Sequence, residues 1–209
     1  MTKIKICGIK TETDALAAME AGADLFGFNF YPKSPRSIDV GRCRDIMSVI
    51  RRYGRVICVG VFVNASIADI HATMDTCGLS LAQLHGDETA EMLQALEGKA
   101  FKAFRGIPSS PDGFTRRDAP AFLLDASVKG EYGGTGVTAD WEGAADLAKK
   151  YPFLLAGGLT PENVAQAVRK VRPWGVDVAS GVEYAPGEKD ANRMKAFVHA
   201  VRQTVDGGR

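Results

Sequence analysis

What is scarce in this chain narrows it quickly. Cysteine occurs four times, at 7, 43, 58 and 77, with no CxxC pair and no short framework of the disulfide-stapled kind. Cys43, Cys58 and Cys77 read as small buried apolar residues. Histidine occurs three times, at 71, 85 and 199, too scattered for recognisable ligand spacing, so no metal is expected. No charge sign dominates. The 26 Lys and Arg and 25 Asp and Glu leave a formal charge of +1, which gives no electrostatic footing for nucleic acid or an anionic membrane surface. No apolar run approaches the roughly 20 residues needed to span a bilayer. Met1-Thr2-Lys3-Ile4 enters a strand directly, without a secretory n-region and h-region. The expectation is a cytoplasmic protein.

No linker, low-complexity tract or composition break divides the 209 residues, so 1–209 reads as one domain with Gly207-Gly208-Arg209 as a loose tail. What is present is an alternation of short β-rich runs and longer helical periods. Strands are expected at 3–7, 24–30, 55–62, 81–85, 100–105, 121–125, 153–157 and 175–180. These runs are nearly continuous in apolar residues, as strands buried on both faces must be. Helices are expected near 12–21, 39–53, 66–77, 87–97, 140–150, 160–171 and 190–205, and a short, Pro-rich one in the fifth connection around 109–117. Thr160-Pro161-Glu162-Asn163 offers an N-cap hydroxyl, Pro at N1 and early acid, while Asp39, Ser66 and Asp190 precede apolar periodicity in the same way. Gly22, Gly54 and Gly78 fall where helices should stop. The pattern fits an α/β (β/α)₈ TIM barrel. An open doubly wound sheet is the alternative, but it leaves two edge strands, and neither the first nor the last run shows edge-blunting residues.

In such a barrel the chemistry sits where strands end and helices begin. Cys7 ends the first strand and Asp125 ends the sixth, so a barrel brings both to one rim. A thiol and a carboxyl facing one pocket suit proton transfer by a base and an acid. Cys7 can also be packing, and base chemistry needs surroundings that favour thiolate. Asp125 follows four apolar residues, so it must be paired, hydrated or functional. Asp177, within a similar run, fits a structural hydrogen-bonding role. The loops after strands six, seven and eight are glycine-rich and carry Gly133, Gly134 and Thr135, then Gly157 and Gly158, then Ser180 and Gly181. Together they could form a phosphate cup of main-chain N–H groups at helix N-termini, although each pair taken alone could be only a tight turn. Arg36, in a loop held by Pro32 and Pro35, could take a substrate carboxylate in a bidentate way. Gln83 and His85 end the fourth strand and can line the same pocket.

These residues resemble the phosphoribosylanthranilate isomerase family, the single-domain barrels of tryptophan biosynthesis. The matching segments are Lys5-Ile6-Cys7-Gly8-Ile9, Gly27-Phe28, Ser34-Pro35-Arg36, Val59-Gly60-Val61-Phe62, Gln83-Leu84-His85-Gly86, Leu124-Asp125, Gly133-Gly134-Thr135-Gly136, Ala156-Gly157-Gly158-Leu159 and Asp177-Val178-Ala179-Ser180-Gly181-Val182-Glu183. They run in order over nearly the whole chain. The resemblance implies an Amadori rearrangement of N-(5-phosphoribosyl)anthranilate to 1-(2-carboxyphenylamino)-1-deoxyribulose 5-phosphate. It implies Asp125 as the acid that opens the furanose and Cys7, as thiolate, as the base at C2. It further implies Arg36 on the anthranilate carboxylate, the glycine loops on the 5-phosphate, and no cofactor. The expected partner is this small phosphosugar alone, with no nucleic acid and no membrane, in a monomer or homodimer. The chain departs from the family pattern at Val137 and Ala139, before the retained Asp140-Trp141.

Two other readings fit parts of the pattern. The histidine-pathway aminoaldose isomerases use the same rearrangement, but their bisphosphate substrate calls for a second anion cup and a carboxylate where Cys7 stands. A phosphate-ligand sensor on a retired barrel could keep the glycines, but it would have no need of both Cys7 and Asp125.

Overall fold

The computed structural model describes residues 1–54, 56–116, 118–126 and 140–206. The expected phosphate-loop residues Gly133, Gly134 and Thr135, the positions Val137 and Ala139, and the tail 207–209 lie outside the described residues. Eight parallel strands close into a barrel in sequence order: β1 (Lys3–Cys7), β2 (Leu25–Asn29), β3 (Ile57–Phe62), β4 (Leu81–Leu84), β5 (Ala100–Arg105), β6 (Phe122–Asp125), β7 (Leu154–Ala156) and β8 (Gly175–Val178). β8 closes onto β1 with Lys5 beside Asp177. The described helices are α1 (Glu12–Ala21), α2 (Val40–Tyr53), α3 (Ile67–Cys77), α4 (Ala90–Ala95), α5 (Trp141–Ala148), α6 (Val164–Val171) and α7 (Ala191–Asp206). The closed barrel, rather than the open sheet, is the architecture.

Strand alternation sorts the apolar residues into two cores. Ile4, Ile6, Phe26, Phe28, Phe122, Leu124 and Val176 pack outward against helix residues such as Ile46, Val164, Ala167, Phe197 and Val201. Leu25, Val59, Leu81, Phe101, Leu123 and Leu154 fill the barrel interior. This is why most of the strand sequences are nearly continuous in apolar residues, with Lys3 and Lys5 of β1 as exceptions: most of both faces is kept from water. Each such Phe, Leu or Ile contributes about 1.5–3 kcal/mol on burial, before the conformational entropy it loses. Cys43, Cys58 and Cys77 are buried as expected, and burial pushes the Cys58 thiol up to about 12 and that of Cys43 further still.

Local signals explain most boundaries. Thr11 and Asp14 close a capping box at α1, and Asp39 and Ser66 accept N–H bonds at α2 and α3. Gly22 and Gly78 end α1 and α3 at positive φ. Three expectations need correction. Among the described residues of the fifth connection no helix forms: Pro111 starts a turn closed by Phe114 N–H on its carbonyl, and Ser110 accepts from Asp112 N. The fourth helix is shorter than 87–97, because the Glu88 carboxylate takes the N–H groups of Asn64 and Gly86 and holds residues 86–88 in the loop. The sixth begins at Val164 rather than near 160, because Thr160 N–H bonds the Asn163 side chain and Glu162 N–H bonds the Thr160 hydroxyl, making a turn first. After β8 comes an unexpected short 3₁₀ turn, Ser180–Val182, and a hairpin of β9 (Glu183–Ala185) and β10 (Glu188–Lys189). Among the described residues no helix is long and apolar enough to cross a membrane.

Candidate active site

The same alternation that fills the barrel points Cys7, Asn29, Gln83, His85, Asp125 and Asp177 into one cavity of about 250 Å³ at the C-terminal ends of the strands. Arg36 closes one side, and Gly157, Gly158 and Ser180 form another wall. Thus the expected thiol, carboxyl, cation, imidazole and two of the three glycine loops meet at one place. Gly181 stands behind that wall, where a Cβ would collide with the Leu159 carbonyl. Gly157 and Gly158 both hold positive φ, which keeps the β7 loop tight against the cavity.

Arg36 is placed by its neighbours on every side. Asn29 bonds Ser34 through its side chain, and the Ser34 hydroxyl accepts from Arg36 N at 3.1 Å, fixing the loop after β2. Gly8 has φ +83°, and a Cβ there would stand 2.8 Å from Arg36 Cδ, so glycine leaves the track for the arginine stem. At its far end Arg36 donates Nε and Nη2 to the two oxygens of Glu183 at 2.8 and 2.7 Å. Glu183 also takes Lys189 Nζ at 2.8 Å and Gly187 N–H at 3.2 Å. Burial alone would raise the Glu183 carboxyl, but its bonds from Arg36 and Lys189 outweigh that and hold it below the usual carboxylate range. The guanidinium therefore reaches the cavity with its position fixed, an arrangement suited to a planar carboxylate.

Cys7 sits above a buried ion pair. Lys5 Nζ lies 2.7 Å from Asp177 Oδ1 with the lysine side chain fully buried. Burial alone would lower Lys5, but the Asp177 carboxylate and the adjacent Cys7 reverse this and keep it an ammonium. Burial pushes the Cys7 thiol above its ordinary value, Asp177 adds to that, and Lys5 and Lys189 oppose it. Across the cavity, burial and then Arg105 draw His85 below the usual imidazole range. Gln83 Nε2 stands 3.0 Å from His85 Nδ1, so with the amide as donor the neutral ring carries its proton on Nε2. Among the described residues Gln83 Oε1 is buried without a hydrogen-bond partner.

Sequence reading missed Lys5, Glu183 and Lys189. Lys5 was legible in principle: it is a lysine in a strand buried on both faces, in phase with Cys7. Nothing local marks Glu183 and Lys189, since the hairpin that pairs them is set by tertiary contact.

Residues 4–200 match the family model described as N-(5'-phosphoribosyl)anthranilate (PRA) isomerase. The chain is 47% identical over 200 residues to the N-(5'-phosphoribosyl)anthranilate isomerase of Geotalea uraniireducens, covering 95% of this chain and 97% of that one. It is similar to the crystal structure of phosphoribosyl anthranilate isomerase from Thermotoga maritima, with a TM-score of 0.82, 36% identity and coverage of 97% and 100%. A structure of that enzyme type in complex with reduced 1-(o-carboxyphenylamino)-1-deoxyribulose 5-phosphate gives a TM-score of 0.80 at 34% identity, over 97% and 100% of the two chains. The match spans the barrel and the rim alike, and the chain belongs to the N-(5'-phosphoribosyl)anthranilate isomerase family.

Proposed function

We propose that this barrel rearranges N-(5-phosphoribosyl)anthranilate to 1-(2-carboxyphenylamino)-1-deoxyribulose 5-phosphate, a step of tryptophan biosynthesis, with Asp125 as general acid and Cys7 as general base. The observation that carries the assignment is the convergence of Cys7 and Asp125, from strand ends far apart in sequence, on one cavity with a fixed arginine at its side. Asp125 protonates the furanose ring oxygen, and the C1–O bond opens to a protonated Schiff base. That cation acidifies the C2 proton, which Cys7 removes to give an enolamine. The enolamine takes a proton at C1 from the Cys7 thiol and loses its C2 hydroxyl proton to the Asp125 carboxylate, which leaves the C2 ketone and restores both groups. Only protons move, and no cofactor is required by the balance.

Arg36 takes the anthranilate carboxylate, which supplies a second anionic point on the ligand opposite the sugar phosphate. Gly157, Gly158 and Ser180 offer main chain to the phosphate; Gly133, Gly134, Thr135 and Gly181 complete the loops assigned to it. His85, neutral and held by Gln83, offers a hydrogen-bond donor rather than a charge to the sugar. We place the enzyme in the cytoplasm, as a monomer or homodimer acting on a small phosphosugar.

The test is steady-state turnover of Cys7→Ala and Asp125→Asn, with folding checked by circular dichroism. Each variant is expected to lose turnover by a factor on the order of 10² or more. Near-normal kcat in a folded variant removes that residue from the mechanism.

A further inference from the structure

Lys5 and Asp177 form an ion pair inside the barrel that the proton chemistry above does not use. Such a pair adds little net stability over apolar residues of similar size, and the interior around it is filled by Leu25, Val59, Phe101, Leu123 and Leu154. Its placement is specific. Lys5 and Cys7 point inward from the same strand, and a Cβ on Gly27 would stand 2.7 Å from Cys7 Sγ and 3.0 Å from Lys5 Nζ. The sulfur and the ammonium thus share the space that a glycine on β2 leaves open. Asp177, on the neighbouring strand, holds the ammonium at 2.7 Å and lines the cavity itself.

We propose that Lys5 and Asp177 are positioning residues for Cys7, Lys5 stabilising the thiolate from below and Asp177 fixing the ammonium that does so. The proposal rests on Cys7 acting as the base. The other charged groups around the sulfur are Lys189 on β10 and Arg36 on the loop after β2, both paired with Glu183 on β9. Asp125 and the neutral His85 face it across the cavity. Lys189 and Arg36 are tied to Glu183, whose carboxylate opposes their field at the sulfur. Lys5 is opposed by Asp177 in the same manner, but it shares the sulfur's own pocket.

The test is alkylation of Cys7 by iodoacetamide in the native enzyme across pH, followed at the Cys7 peptide by mass spectrometry, with buried Cys43, Cys58 and Cys77 as references. Lys5→Met should slow Cys7 alkylation at a fixed neutral pH by about tenfold, because the thiolate fraction falls with the lost charge. The double variant Lys5→Met/Asp177→Asn leaves no orphan charge and covers the case in which the single variant does not fold. It should shift in the same direction by less. The pH dependence of kcat/KM should move upward in step. An unchanged Cys7 alkylation profile in the folded double variant overturns the proposal. An alkylation shift without a matching kcat/KM shift supports the pair's action on the thiol and instead refutes Cys7 as the base.

Discussion

Glu183 is the most informative side chain to perturb, because it fixes the Arg36 guanidinium that the proposed function sets on the substrate carboxylate. Its carboxylate takes four hydrogen bonds, two from Arg36, one from Lys189 and one from Gly187 N–H. Its side chain is 3% exposed and that of Lys189 is fully buried. Glu183→Gln keeps the shape but removes the charge and sets an amide N–H₂ against cationic donors. The one remaining amide oxygen can serve either position, so Arg36 loses one of its two bonds and either Lys189 or Gly187 loses its bond to residue 183. Breaking a buried pair in this way costs about 3 kcal/mol, the lower end of the range for such changes. In a chain of 209 residues each kcal/mol moves the melting midpoint by about 2–4 °C, so the variant should melt about 6–12 °C lower. Arg36 loses its bidentate anchor, so KM for phosphoribosylanthranilate should rise about tenfold or more, with kcat changed less. Differential scanning fluorimetry and steady-state kinetics read both. A variant within about 1 °C of wild type with unchanged KM would refute the clamp.

Arg36→Ala should raise KM by at least about tenfold, about 1.4 kcal/mol of binding; a large kcat loss at unchanged KM contradicts a carboxylate anchor. Gly27→Ala places a Cβ 2.7 Å from Cys7 Sγ and 3.0 Å from Cys7 Cα, so it should displace the thiol and cut kcat about tenfold or more, at about 1–3 kcal/mol of stability. Full kcat in that variant argues against a tightly set sulfur. Acid should unfold the protein through its paired carboxylates. The carboxyls of Asp24, Glu88 and Glu183 are each held low: burial alone would raise them, but Lys3 and Arg202, Lys102, and Arg36 and Lys189 respectively outweigh it. Their folded values lie below their unfolded ones, so this stability is complete above about pH 5 and is lost as pH falls through the folded values. Urea midpoints measured from pH 7 down to 3 should fall mainly below about pH 5, and a flat profile counts against the assignment.

The barrel was legible because its strands are continuous apolar runs of the right length between capped helical periods. Cys7, Asp125 and His85 were legible because each ends such a run, and Arg36 because it is a cation in a rim loop held by Pro32 and Pro35. Asp177 was read as a hydrogen-bonding residue, and it does bond Lys5, but it also lines the cavity. Lys5 itself hid inside the KICGI run, where only strict inward phasing with Cys7 sets it apart. Glu183 and Lys189 hid for a different reason. Their hairpin is two very short strands joined at Gly187, which has a φ of +82° and where a Cβ would collide with the Pro35 carbonyl of the loop after β2. The helix expected at 109–117 failed because Pro111 and the Ser110 hydroxyl favour a turn. Conversely, Glu88 is a good helix former that a buried bond to Lys102 at 2.7 Å draws out of the helix.

The central claim is that a thiol at the end of β1 removes a proton from a phosphoribosylated anthranilate. The direct measurement is the fluorescence decay of phosphoribosylanthranilate, generated in place, on adding the purified wild-type enzyme or Cys7→Ala. The account predicts decay well above the spontaneous rate with wild type, and a loss of about 10² or more with the folded variant. Wild-type decay no faster than spontaneous breakdown, or an equal acceleration by Cys7→Ala, would contradict it.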